Sequence, residues 1–351
     1  MKKKIYFMII LIMAALLSGC KKNMDFPQNF NLGIIETAGE TKDTSITLYN
    51  DDMEECGNID IKKGNVCSLS SYAKIAGNNV FMLPAGRTGK SDEDGIISMD
   101  RKTGVVTEYN MGENRLFDFV VDKDNIYGIS AKDINKSTLI IYGISDGNIT
   151  YKEFDDITIN RIFNDEDRII LCGFSYKSEY LLSKMIFINK FDYNIEKEMD
   201  ITAFGISVND VLRKENGYYI AFSTKKGEDG MSEEMADSVA YMENERIISI
   251  RTNEVISQIF NYNNEIYLIC YNKLNDEGNA IIKLGENMKQ RKIFVSDKIR
   301  QSDIRDNNMY VLGEKKLIVL DLDNNFKKQR EIQIEHRLDN EDSYVSGFFV
   351  N

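Results

Sequence analysis

Apolar residues in this chain fall in short runs rich in Ile, Val, Tyr and Phe, broken by Asn, Asp and Gly, which is the grammar of strands and hairpins. Six times a polar residue or glycine leads straight into an apolar or aromatic pair: Asn79-Val80-Phe81, Asn125-Ile126-Tyr127, Arg168-Ile169-Ile170, Gly217-Tyr218-Tyr219, Glu265-Ile266-Tyr267 and Asn308-Met309-Tyr310. Counted from Val80 to Met309, the marks are 46, 43, 49, 48 and 43 residues apart. That step matches a four-stranded propeller blade, and the strand-like content excludes helical solenoids. The clearest unit predicts strands over Leu116 to Val121, Ile126 to Ser130, Leu139 to Gly143 and Ile149 to Phe154.

A single blade exposes both faces, so the fold becomes stable only when blades stack and the ring closes. Phe30 to Glu36, Ser45 to Tyr49 and Ile59 to Lys62 supply three strands with no inner partner before them, and Tyr344 to Val350 supplies an inner strand with nothing after it. The expected fold is therefore all-β, a seven-bladed β-propeller over residues 30–351, closed by a blade that both chain ends share.

The first residues follow another pattern. Lys2, Lys3 and Lys4 precede an apolar run from Ile5 to Leu17, too short for the ~20 residues of a spanning helix and of the layout of a cleaved export signal. The run closes on Leu17-Ser18-Gly19-Cys20, which resembles the lipobox of bacterial lipoproteins. The resemblance implies cleavage of residues 1–19 and a diacylglyceryl group on the Cys20 sulfur, with residues 20–29 as tether. Two acyl chains, at ~0.8 kcal/mol per buried CH₂, hold a protein to a membrane firmly. The expected location is the outer face of the cell membrane, and the Ile, Lys and Asn bias suggests a Gram-positive-type envelope.

Without the signal, residues 20–351 carry 41 basic and 56 acidic side chains, a net charge of −15. Nucleic acid is not an expected partner, since phosphate binding needs clustered Lys and Arg. Cys56 and Cys67 are close enough in sequence to be a disulfide candidate outside the cell, whereas Cys172 and Cys270 lie in apolar runs and read as small buried hydrophobes. The stretch from Gly95 to Gly104, with Asp100 and Thr103 in its turn, resembles the hairpin of quinoprotein-like and surface-lipoprotein propeller repeats. That resemblance supports the fold alone. With no tryptophan in the chain, the quinone cofactor of such enzymes is not carried over, and no cofactor is expected.

The one histidine, His336, has no second His for a usual zinc site and reads as a surface residue; no metal is expected. Ser71-Tyr-Ala-Lys74 with Lys102-Thr-Gly104 imitates two penicillin-binding motifs, but the Ser-Asp-Asn between them is missing and the first falls at a strand. Two constellations depend on the propeller. Lys74, Asp118, Arg161, Asp210, Gln258 and Asp303, one near the start of each innermost strand, are expected at the channel mouth. There the three aspartates could hold a cation or serve as acid and base, as in propeller glycosidases, or the charges could pair and plug the axis. The second is a face formed by loops between second and third strands: Pro84 to Asp94, Ala131 to Lys136, Ser175 to Glu179, Ser223 to Asp237 and Asn272 to Gly278. The longest, Lys225 to Met235, has the composition for a short helix. Binding residues usually sit on such loops. The leading expectation is a membrane-anchored binding or scaffolding module for an extracellular protein or glycan; the alternatives are a carbohydrate-active enzyme using Asp118, Asp210 and Asp303, and a structural envelope subunit.

Overall fold

The computed structural model describes residues 26–351 apart from 40, 68–70, 85–94, 113–114, 178–179, 228–231, 245, 286–287 and 340. Cys20, with the rest of the expected export signal, falls on residues 1–25, outside the described residues. The chain is a seven-bladed β-propeller of antiparallel sheets, and among the described residues there is no α-helix. Blades 1 to 6 follow one another in sequence, beginning at Lys74, Leu116, Thr158, Ser207, Ile256 and Gln301, and in each the first strand is innermost. Blade 7 joins the two ends: Ser343–Val350 is innermost, followed outward by Leu32–Ala38, Thr44–Tyr49 and Glu55–Ile61.

All six polar-to-apolar marks start a second strand, at Asn79, Asn125, Arg168, Gly217, Glu265 and Asn308. The reason lies in the packing. Seven apolar clusters fill the seven interfaces between neighbouring blades. A strand between two interfaces sends alternate side chains to each: in blade 3, Ile169 and Leu171 face blade 2, while Ile170 and Cys172 face blade 4. Both sides of the sheet are buried, so the strands read as near-continuous apolar runs.

The antiparallel order puts loops between second and third strands, and those between blades, on one end of the ring, which we call the loop face. The turns between first and second and between third and fourth strands lie at the other end. Two expectations change. Lys225 to Met235 holds no described helix; Glu233–Met235 pairs with Thr224–Lys226 and extends the second strand of blade 4 as a hairpin. Cys56 and Cys67 are free thiols. Cys56 lies in the outermost strand of blade 7, whereas Cys67 is buried beside Gly347 of the innermost one. Three strand spacings of about 4.8 Å separate such positions, beyond the ~7 Å Cα limit of a disulfide. Burial pushes the Cys67 thiol up to about 12.

His336 is largely exposed, as expected, with Nδ1 2.8 Å from Oε1 of Glu36; the other Glu36 oxygen accepts the Arg337 N–H at 2.7 Å. This buried carboxylate orders the turn leading into the closing strand. That strand buries Phe348, Phe349 and Val350, and Phe349 covers Gly33, its cross-strand partner, at a point where a Cβ would enter the ring.

Deleting residues 344–351 should leave the strand Leu32–Ala38 with an open edge and uncover two interfaces. At ~1.5–3 kcal/mol for each large apolar side chain, the loss is several kcal/mol and brings aggregation. Thermal melting and light scattering check this; a truncated chain as soluble and heat-stable as the parent contradicts the closure.

Candidate functional site

Innermost strands start at the loop face, and five of them carry one extra residue near that end; in blade 7 it is Ser346, followed by Gly347. The pairing shifts between Leu116 and Asp118, Ile159 and Arg161, Val208 and Asp210, and Ile256 and Gln258. A bulge of this kind re-aims the next side chain. In blades 2 to 5 that next side chain reaches the following blade. Asp118 Oδ2 accepts the Ile162 N–H at 3.3 Å and pairs with Arg161 Nη1 at 3.2 Å. Arg161 Nη2 donates to the Asn209 carbonyl at 2.8 Å, and Asp210 Oδ2 accepts the Ile259 N–H at 2.7 Å. Gln258 donates to the Ser302 carbonyl at 3.0 Å and accepts its N–H at 2.7 Å. Gln301 does the same with Phe348, at 3.1 Å both ways. The clasps run in one rotational sense from blade 2 to blade 7.

Of the six expected mouth residues, Asp118, Arg161, Asp210 and Gln258 share this position, each opposite the fifth residue of its second strand. In blade 6 that place belongs to Gln301, opposite Leu312. Asp303 instead faces Tyr310, as Lys74 faces Phe81 in blade 1, so both sit two residues further from the mouth. The pairing of these two innermost strands shows no shift. The same interval from an apolar start therefore lands elsewhere.

The carboxyls are not equivalent. Asp118 and Asp210 each also accept their own next N–H, from Phe119 and Val211, both at 2.9 Å. Burial raises Asp210 above the usual carboxylate range, against the pull of the Ile259 N–H, Arg161 and Lys74. Asp303 accepts the Ile304 N–H at 2.8 Å, and burial pushes it up to about 6. No group of three or more His, Cys, Asp or Glu among the described residues is placed to hold a metal.

Two mouth residues escaped the sequence reading. Tyr72, just before blade 1, reaches the Arg300 carbonyl of blade 6 with its hydroxyl, at 3.5 Å. Lys273, in the loop between second and third strands of blade 5, holds its ammonium 5.0 Å from the centre of the Tyr72 ring. Burial, then the positive charge of Arg161, bring Lys273 down to about 7, with Asp210 and Asp118 opposing. Neither residue carries a local motif; a fold brings them together across about 200 residues of chain. Beside them Asp276 binds Tyr271, Lys298 and Arg300, at 2.7, 2.6 and 3.0 Å, which stiffens the loops of blades 5 and 6. These cations hold the Asp276 carboxyl well below its usual range.

No family model matches the sequence, and no curated protein does. Solved structures match the fold. A functionally unknown protein from Desulfotomaculum acetoxidans superposes with a TM-score of 0.58 at 11% identity, over 92% of this chain and 98% of its own. Proposed 6-phosphogluconolactonases from Bacteroides uniformis and Bacteroides fragilis give TM-scores of 0.60 and 0.55 at 12% and 11% identity, covering 92% and 95% of this chain and 100% of each of theirs. At such identities the likeness concerns the propeller alone.

Asp303 generates a prediction with a definite sign. Its folded-state value lies above that of the unfolded chain, so the neutral acid favours folding at low pH, and this contribution is lost as pH rises through about 6. Asp303→Asn stays neutral throughout. Urea unfolding should show the variant close to the parent below about pH 4 and more stable above about pH 7, by at most about 3 kcal/mol. A gap that fails to widen with pH would mean that Asp303 is not held in a desolvated site.

Proposed function

We propose that this chain is a lipid-anchored, extracytoplasmic propeller whose loop face docks a protein partner. One observation carries the reading. The loops of four consecutive blades each present a large apolar side chain to solvent: Ile134 at 76% exposure, Tyr176 at 53%, Met235 at 40% and Leu274 at 68%. Large exposed apolar groups clustered on one face mark interaction surfaces. The tips are also held in pairs. Asn135 exchanges two hydrogen bonds with the Tyr176 backbone, at 3.2 and 3.0 Å, and Asn272 donates to Met235 Sδ at 3.4 Å. Preordered contacts lose less entropy on binding. Three of the four are aliphatic, which suits a protein surface better than the sugar rings of a glycan.

The approach of the N-terminus supports the same orientation. Phe26 packs against Gly104, and Gln28 donates to the Lys102 carbonyl at 2.8 Å, both in a turn of blade 1 at the end opposite the loop face. Residues 26–29 thus belong to the folded body, which leaves residues 20–25 for the proposed tether. Six residues span at most ~20 Å, so a lipid on Cys20 would hold the far end towards the membrane and turn the loop face outward. A glycosidase needs one carboxylic acid and one carboxylate free to move protons; Asp118 and Asp210 instead hold backbone N–H groups of neighbouring blades.

Replacing Ile134, Tyr176, Met235 and Leu274 together by Ser should leave the melting temperature nearly unchanged, since exposed substitutions fall within about ±0.5 kcal/mol each. It should abolish cross-linking of the cell-surface partner that the parent captures. Phe191→Ser, 96% exposed at the opposite end, is the control and should cross-link as the parent does. Equal cross-linking by the fourfold variant rejects the loop face.

Cys20→Ser should release the protein from the membrane fraction or leave it unprocessed, because thioether lipidation needs that sulfur. Mass spectrometry of the mature N-terminus reads the outcome directly; an unlipidated terminus downstream of Cys20 removes the anchor.

A further inference from the structure

The channel mouth holds cations that the clasps do not use. Arg161 is engaged by Asp118 and the Asn209 carbonyl. Lys273 and Lys74 differ: among the described residues neither ammonium has an ion pair, and the contact of Lys273 is the face of Tyr72. The carboxylates nearby do not supply the missing partner. Asp118 and Asp210 direct both oxygens at backbone N–H groups, and Asp303 holds the Ile304 N–H. Amide N–H groups thus occupy these carboxylates, and neither ammonium has a carboxylate in direct contact, although Asp118 and Asp210 act on Lys273 from a distance. The mouth is also open: Tyr72, Lys74, Arg161, Asp210, Lys273 and Asp303 each keep part of their surface exposed.

We propose that the loop-face mouth of the channel binds a single carboxylate group, gripped by the ammonium group of Lys273 over the Tyr72 ring, with the charge of Lys74 deeper in the channel assisting. A monoanion fits better than a phosphate, because Asp118, Asp210 and Asp303 line the same mouth and repel a second negative charge. Phe117, the extra residue of the blade 2 bulge, is 46% exposed at this end of the channel and offers an apolar wall for the body of the ligand. A charge-assisted bond to a desolvated ammonium is stronger than the same bond in water. The site does not require the loop tips to dock a protein. Its carboxylate could be carried by an acidic sugar or by an acidic peptide, and the chemistry of the grip is the same.

Proton linkage gives the site a signature. The groups acting on Lys273 are Tyr72 and Lys74 from blade 1 and the segment before it, Asp118 of blade 2, Arg161 of blade 3 and Asp210 of blade 4. A bound carboxylate adds a negative charge beside the amine and raises its proton affinity. Above about pH 7 the free protein has largely lost that proton, so binding there must take one up, and affinity must fall as pH rises.

The test is titration calorimetry of the purified full chain with galacturonate, its methyl ester, N-acetyl-aspartate α-amide, N-acetyl-asparagine amide and inorganic phosphate. At least one carboxylate probe should bind, its neutral counterpart should not, and phosphate should bind more weakly. Which arm binds identifies the source of the carboxylate. Lys273→Met and Lys74→Met should each weaken binding about tenfold or more, while Phe191→Ser at the opposite end leaves it unchanged. In buffers of different ionisation enthalpy the parent should take up a proton on binding above about pH 7, and Lys273→Met should not. Removing a desolvated amine does not threaten the fold, and thermal melting confirms this for each variant. The proposal is overturned if neither carboxylate probe binds, if the neutral probes or phosphate bind as tightly, or if both lysine variants bind like the parent. Because the probes are too small to span the loop tips, failure here leaves the docking of a protein partner standing.

Discussion

An innermost propeller strand has a ladder partner on one side only. Its other edge faces the channel, where backbone N–H and C=O groups find no neighbouring strand, and a buried group left unpaired costs about 1–3 kcal/mol. The clasps answer this constraint. In blades 2 to 5 a bulge re-aims one side chain, and in blade 6 Gln301 takes that place without one. The side chain bonds the backbone of the next innermost strand, as Gln258 does at both the N–H and the carbonyl of Ser302. The same contacts fix the angle between blades, so the apolar interfaces outside them meet in register.

The charged mouth is therefore first a structural device. Asp118 and Arg161 form a buried pair whose mutual attraction is opposed by desolvation, and Asp118 also accepts the backbone N–H groups of Phe119 and Ile162. Gln258 and Gln301 achieve the same joint without charge. Alternation of Asp, Arg and Gln around the ring is then no sign of catalysis. What stands out against it is the residue that the joint does not need: Lys273 over Tyr72, and the more deeply placed Lys74 and Asp303.

Much of the fold was legible because blade interfaces impose a local pattern. Second strands are packed on both sides, so their apolar starts at Val80, Ile126 and Ile266 repeat with the blade and stand out against polar turns. Ring closure was legible from the Tyr344 to Val350 strand, which had no other place to go. Register was not. The bulges at Phe117 and Asn160 place Asp118 and Arg161 at the mouth, and their lack in blade 6 gives that place to Gln301 rather than Asp303; a bulge leaves no mark in composition. The pairing of Cys56 with Cys67 failed for a related reason, since sequence separation ignores how many strands intervene. Lys273 and Tyr72 meet only through closure of the ring, and no local signal could have joined them.

Rigidity at the axis and variety at the rim follow from one arrangement. Each interface is filled by residues from the strands on either side of it, so loops can carry Ile134 or Leu274 into solvent without removing anything from the core. The closing blade adds a mechanical consequence. Under the proposed anchor, tension on the tether reaches the body through Phe26, which packs edge-on against Phe30, itself edge-on against Phe349. The next element is the strand Leu32–Ala38, which is hydrogen-bonded on both sides, to Thr44–Tyr49 and to Ser343–Val350. A pull along a strand held by two ladders loads many hydrogen bonds at once, whereas an edge strand would have one ladder only. The blade that closes the ring is thus the one best placed to bear the load of anchoring it.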